Sequence, residues 1–263
     1  MSHRARKRFS QNFLIDPGVI GDIVAAVAPR TGERMVEIGP GLAAITRPLS
    51  RVVHPLHVVE IDRDIVARLR REFPTNALVI HEGDALAFDF AALGPDLRVV
   101  GNLPYNISTP LLFHLVDCAH CLRDIHAMLQ AEVVARMTAA PGSSEYGRLS
   151  VMLQYHFDME KVLDVPAEAF DPVPKVESAV IRMMPHGRGT AARAADPKLF
   201  EQTVAFAFSQ RRKTLRNTLG AVLTAGDFEA LRIDPRARAQ TLSVEDFVRI
   251  ADYRAARALP TTD

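Results

Sequence analysis

The chain has 263 residues, 48% of them hydrophobic and 24% charged, with two cysteines, no tryptophan and a formal net charge of +1. That apolar share supplies a packed core for an average domain plus a smaller one and excludes whole-chain disorder; two cysteines exclude a disulfide framework and make a reducing, cytoplasmic setting the expectation. No apolar run approaches the ~18–20 residues of a membrane span, and the basic start MSHRARKRFSQNFLIDPG has no apolar stretch behind its charges to read as a secretory signal.

Residues 1–9 hold Arg4, Arg6, Lys7 and Arg8 with no acid, which reads as a flexible basic arm. Short apolar runs then follow at Met35–Gly39, His57–Asp62, Ala77–His81, Arg98–Asn102 and Ala127–Ala131, separated mostly by helix-like stretches. That alternation predicts a parallel sheet with helices on both faces. Two further β-like runs, Val151–Phe157 and Ser178–Met184, flank the proline-rich VPAEAFDPVPKVE and predict an antiparallel hairpin that closes the sheet. The turn-rich PHGRGT at 185–190 marks a boundary. Beyond it, FEQTVAFAFSQRRKTLRNTL, DFEALR and VEDFVRIADYRAAR read as helices. The expectation is a Rossmann-like α/β domain over 1–186 and a small all-helical domain over 187–263. Charge is uneven along this plan: net +4 over 1–9, −8 over 10–181 and +5 over 182–263. Basic ends around an acidic middle suit a polyanionic partner, although from charge alone a solvated face is the plainer reading.

Three features carry chemistry. The string from Glu37 to Ala44, EIGPGLAA, lies between a strand and a helix, where Gly39 and Gly41 allow positive φ and let a ligand approach the backbone. Glu60 ends the next strand, some 20 residues on, placed to accept hydrogen bonds from ribose hydroxyls. Asp84 follows the third strand at the same sheet edge and can accept from an adenine amino group, unless it is a surface acid or a helix N-cap. These three fit NAD and S-adenosylmethionine alike.

The fourth strand is followed by Asn102-Leu103-Pro104-Tyr105. An exocyclic adenine amine is a poor nucleophile because its lone pair is delocalised into the ring. Two acceptors gripping its two protons favour a pyramidal nitrogen, and the Asn102 side-chain oxygen with the Leu103 carbonyl can supply them. Pro104 holds Leu103 extended and so fixes that carbonyl. Tyr105 offers a ring for stacking an extruded base, worth ~1–3 kcal/mol. Hydride transfer asks for none of this.

With these strings in place, the chain resembles the small-subunit ribosomal RNA adenine dimethylases. Segments that match the family in order are RKRFSQNFL at 6–14, EIGPGLAAIT at 37–46, EID at 60–62, GDAL at 83–86, NLPYNIS at 102–108, EYGRLSV at 145–151, FDPVPKVESAV at 170–180 and FSQRRKTLRNTL at 208–219. The resemblance implies a class I S-adenosylmethionine-dependent methyltransferase that puts two methyl groups on N6 of each of two adjacent adenosines near the RNA 3′ end, in the assembling small ribosomal subunit. It implies Asn12, Leu14, Gly39 and Gly41 at the cofactor, Glu60 on its ribose, Asp84 on its adenine beside the Ala85 backbone, and Asn102 at the reacting amine. Tyr105 is expected on one face of the target base and Phe170 on the other, unless Phe170 merely packs the loop. The run Arg211, Arg212, Lys213 with Arg216 is expected on a helix against RNA phosphates, and Arg4–Arg8 as an arm ordered by RNA.

Ala43, Ala131 and Gln240 depart from the family pattern, the first in the cofactor loop and the others where RNA docking would feel them. Cys118 and Cys121 spell C-x-x-C, but a structural zinc wants four ligands and no second pair exists, so they read as helix packing residues and no metal is expected. Rival readings are a large-subunit adenine methyltransferase of the macrolide-resistance type, a non-catalytic ribosome-assembly factor and, more remotely, a nicotinamide dehydrogenase. A monomer is the default.

Overall fold

The computed structural model describes residues 12–187 and 193–258. Seven strands make one sheet: β2 (Arg34–Ile38), β3 (Leu56–Glu60), β4 (Leu78–Glu82), β5 (Leu97–Asn102), β6 (Leu122–Gln130), β7 (Phe157–Val165) and β9 (Ser178–Pro185), in the order β4-β3-β2-β5-β6-β9-β7. The first five run parallel and β9 runs antiparallel to β6. A parallel strand covered on both faces needs a near-continuous apolar run. Accordingly Met35, Val36 and Ile38 of β2 and Val99 and Val100 of β5 are all buried. The chain steps outward from β2 through β3 to β4, then returns to the other side of β2 as β5. Connections therefore diverge between β2 and β5, which opens a crevice at their carboxyl ends.

At that crevice β5 carries a glycine against the end of β2. Ile38 pairs with Gly101 in register, and a Cβ on Gly101 would stand 2.5 Å from the Ile38 carbonyl oxygen. The helices flanking the site are set by local chemistry. In α1 (Pro17–Val27) the Asp16 carboxylate accepts from the Val19 N–H at 2.9 Å and Pro17 occupies the first turn. In α3 (Arg63–Glu72) the Asp62 side chain caps the start, and the helix stops at Phe73, which is extended ahead of Pro74. A separate two-stranded ladder joins β1 (Phe13–Leu14) to β8 (Phe170–Asp171), pairing Phe13 with Asp171 and Leu14 with Phe170. Leu14 and Phe170 enter the core cluster that also holds Val100, Met128 and Val180.

Two sequence expectations need correction. Val151–Gln154 is not strand but part of α6 (Arg148–Gln154), whose Val151, Met152 and Leu153 are buried; a short apolar run does not distinguish the two. The strand beside β9 is β7 instead, an edge strand whose charges (FDMEKVLDV) hide its period. The stretch 200–219 is likewise not one helix. It breaks into α7 (Pro197–Ala207) and α8 (Leu215–Leu219), because Gln210–Lys213 offers no apolar side chain to bury.

Contacts divide the described residues into two units. One comprises those up to Val134 with Asp158–Pro185; the other comprises Ala135–Phe157 with those from His186 onward. The sequence expectation had kept 135–157 with the first domain. In the second unit Tyr155 stacks on Phe200 with centroids 4.1 Å apart. There α9 (Ala225–Leu231) is tied to α10 (Val244–Ala258) through Asp227, which accepts from the Tyr253 hydroxyl at 2.9 Å and pairs with Arg257. Among the described residues no helix is long and apolar enough to cross a membrane.

Candidate active site

A cavity of about 200 Å³ lies at the carboxyl edge of the sheet in the first unit, over the β2–β5 crevice. The structure brings to its walls Asn12, Leu14, Gly39, Gly41, Glu60, Asp84, Ala85 and the whole Asn102–Tyr105 string. These residues come from five separate stretches of sequence.

The floor is the glycine turn after β2. Gly39 has φ +66° and Gly41 φ +53°, both left-handed. Ala43 follows at φ +67°, a left-handed conformation that favours glycine, at a strain of ~1–2 kcal/mol. Glu60, at the end of β3, is buried, and one of its oxygens accepts from the Asp62 N–H at 2.8 Å. Burial raises its proton affinity above the usual carboxylate range, with backbone N–H groups of Asp62, Gly41 and Ile61 working against that shift. Asp84 is exposed and accepts from the Leu86 N–H at 2.9 Å, so it shapes its own turn while it lines the cavity.

Glu37 was quoted in the sequence motif but given no role. It is fully enclosed, lines the cavity, and its Oε2 has no hydrogen-bond partner among the described residues. Burial pushes its carboxyl up to about 7; the Thr46 hydroxyl lowers it and the Glu60 charge raises it. A buried carboxyl with one oxygen left unpartnered is costly for a fold to keep, and such atoms mark places where a ligand completes the hydrogen bonding. The available signal was a single acid inside an otherwise apolar β2.

Opposite this wall the Asn102 amide nitrogen donates to the Asn12 carbonyl at 3.2 Å. Leu103 is buried, and its N–H donates to the Met128 carbonyl at 3.1 Å, which pins the string to β6. Tyr105 is half-buried and its hydroxyl shares a hydrogen bond of 2.7 Å with Ser178 Oγ.

Phe170 is not at this site. It is 1% exposed and does not line the cavity, because its pairing with Leu14 turns it into the core while Asp171 faces out. Arg211, Arg212 and Lys213 are exposed, but on the loop between α7 and α8 rather than on a helix; Arg216 is exposed on α8. Arg4, Arg6, Lys7 and Arg8 lie outside the described residues. Cys118 and Cys121 are buried at the end of α4 (Ser108–Asp117), where the Cys121 thiol donates to the Cys118 carbonyl and burial raises both thiols. Ala131 opens α5 (Ala131–Met137) with its N–H on the Glu177 carbonyl, and the Gln240 carbonyl accepts from Gly142.

Two solved structures share this architecture over most of the chain. A dimethyladenosine transferase from Plasmodium falciparum has a TM-score of 0.77 at 24% identity, covering 90% of this chain and 95% of that one. The 23S rRNA methyltransferase ErmE has a TM-score of 0.75 at 24% identity, covering 93% and 100%. The fold is that of a class I methyltransferase. Sequence narrows the class: residues 2–256 match the family described as ribosomal RNA adenine dimethylase. The ribosomal RNA small subunit methyltransferase A of Thiobacillus denitrificans is 59% identical over 255 residues, 97% of this chain and 100% of that one. The chain belongs to the ribosomal RNA adenine dimethylase family.

Proposed function

We propose that this protein transfers methyl groups from S-adenosylmethionine to N6 of two adjacent adenosines near the 3′ end of small-subunit ribosomal RNA, giving N6,N6-dimethyladenosine during assembly of the subunit in the cytoplasm. The observation that carries this reading is the meeting, in one cavity, of a buried carboxyl pair, Glu37 and Glu60, with the Asn102–Tyr105 string. High identity to relatives named for the small subunit favours that RNA over the large-subunit alternative.

The residues present fit an adenosine ligand that bears cationic groups. Glu37 Oε2 is an orphaned acceptor, and a cation beside it would draw its carboxyl back toward the ionised form. Glu60 would hold ribose hydroxyls, Asp84 and the Ala85 backbone the adenine, and the Gly39–Gly41 backbone the amino-acid end. When bound, S-adenosylmethionine supplies an electrophilic methyl group on its sulfonium. The chain's own part is positioning. Asn102 Oδ1 and the Leu103 carbonyl accept the two amine protons and aim the nitrogen lone pair. Tyr105 stacks on the extruded base. No strong base is needed, since the methylated nitrogen becomes acidic and loses its proton to solvent. In this reading the helical part, with the basic run Arg211–Lys213 and Arg216, grips RNA phosphates, and the arm Arg4–Arg8 adds to that grip.

Nucleoside mass spectrometry tests this directly. Small subunits that lack the modification, incubated with the protein and S-adenosylmethionine, should gain dimethyladenosine at the paired 3′-end positions. Methylation of naked large-subunit RNA instead would move the protein to the resistance branch, and subunit binding without methylation would make it an assembly factor.

A further inference from the structure

The Tyr105 side chain is fixed at both ends. At its base, the loop after β5 is tightened by the Ile107 N–H on the Pro104 carbonyl, and the Tyr105 carbonyl accepts from the Ser108 hydroxyl at 3.1 Å. At its tip, the hydroxyl meets Ser178 Oγ at 2.7 Å. Ser178 is 1% exposed and opens β9 opposite Gln130, the last residue of β6. The contact therefore carries the tyrosine across the carboxyl end of β6. Its anchor is rigid: the preceding Glu177 takes the Ala131 N–H on its carbonyl and the Ala167 N–H on its carboxylate at 3.0 Å.

We infer that Ser178 is a positioning residue for methyl transfer, its hydroxyl holding the Tyr105 ring in the plane on which the target base stacks. This rests on the function proposed above. A loop tyrosine left free samples several rotamers, and every turnover would then bear the entropy of ordering it. A ring tethered at its tip meets the base already oriented, which raises the rate of the chemical step more than the affinity for RNA. The hydroxyl is not the proton acceptor of the reaction. Burial raises its pKa above the ordinary 10.0, so it stays protonated, and its partner is a serine rather than substrate.

Steady-state kinetics on undermethylated small subunits, with wild type, Ser178→Ala, Tyr105→Phe and the double variant, test this. Each single variant is expected to lower kcat roughly five- to tenfold, the worth of one neutral hydrogen bond, with KM for the subunit changed less than about twofold. The double variant is expected to be no slower than either single, since both remove the same bond. Ser178→Thr keeps a hydroxyl and is expected to recover most of the rate, and S-adenosylmethionine affinity by calorimetry is expected to be unchanged in all. Should Ser178→Ala fail to fold, Tyr105→Phe breaks the bond from the other side and carries the test alone. Full kcat in the singles, additive losses in the double, or a loss that follows cofactor affinity would each overturn the inference. A wild type that transfers no methyl group would overturn the function reading and this inference together, and is thereby told apart from a failure of Ser178 alone.

Discussion

The Asn12 carbonyl faces the Asn102 side-chain amide at 3.2 Å, and this contact decides which way the amide is turned. A carbonyl can only accept, so the NH₂ end must lie against Asn12 and the Oδ1 end is left for another partner. A backbone atom 90 residues away along the chain thus selects the acceptor that the proposed chemistry needs.

Replacing Asn102 with alanine is expected to lower methyl transfer by at least about a hundredfold, the usual cost of deleting one group that acts on the transition state. Affinity for S-adenosylmethionine is expected to fall only a few-fold, because Glu60, Asp84 and the glycine turn remain. Turnover by radiolabel incorporation and binding by calorimetry separate the two. Weakened binding with intact turnover would remove Asn102 from the role assigned.

Glu37 makes the ligand-free protein sensitive to pH in a direction opposite to that of most carboxylates. Its pKa rises from 4.5 to about 7 on folding, so between those values the native state holds a proton that the unfolded chain has lost. Stability from this group is complete below pH 4.5, falls as pH rises and levels off above about 7, an effect on the order of 3 kcal/mol. Glu60 is raised in the same sense. Urea melts at several pH values are expected to show Glu37→Gln gaining on wild type as pH passes from 5 to 8. A constant difference between them across that range would refute the assignment.

Gly101 is expected to tolerate no side chain. An alanine Cβ would stand 2.5 Å from the Ile38 carbonyl, a backbone atom held in the β2–β5 ladder, so the strands must part. Overpacking of this kind costs ~1–3 kcal/mol, and separating these strand ends is expected to weaken cofactor binding as well. Gly83 serves as the control: its added Cβ meets nothing within 4 Å, so Gly83→Ala is expected to shift stability by less than about 0.5 kcal/mol. Thermal melts of the two variants decide it.

Removing the charges of Arg211, Arg212 and Lys213 together is expected to weaken RNA binding and to flatten its salt dependence by about two units in the log–log slope. All three side chains are exposed. Filter binding over a salt series reads the slope, and an unchanged slope would take the loop out of the interface.

The parallel half of the sheet was legible because its inner strands are largely buried on both faces and so spell mostly apolar runs. The ladder of β1 with β8 was not, since two-residue strands leave no period to read. β7 was missed because an edge strand satisfies one face with water and carries Asp158, Glu160, Lys161 and Asp164. At the site, Glu60, Asp84 and Asn102 could be placed from their position after strands, which a doubly wound sheet turns into proximity. Phe170 could not, because whether a loop aromatic faces ligand or core depends on a pairing partner 156 residues earlier. Glu37 and Ser178 also escaped notice. Their importance lies in what surrounds them, a missing partner in one case and a tyrosine tip in the other.

The β1–β8 ladder has a consequence for how the protein is made. Phe13 and Leu14 wall the cavity, yet the residues that hold them in register, Phe170 and Asp171, emerge from the ribosome only after most of the sheet has been synthesised. Phe13 and Leu14 are therefore made well before the partners that seat them and find their place late. A nascent chain stopped short of residue 170 can build the parallel strands, but it has no closed pocket to offer a ligand.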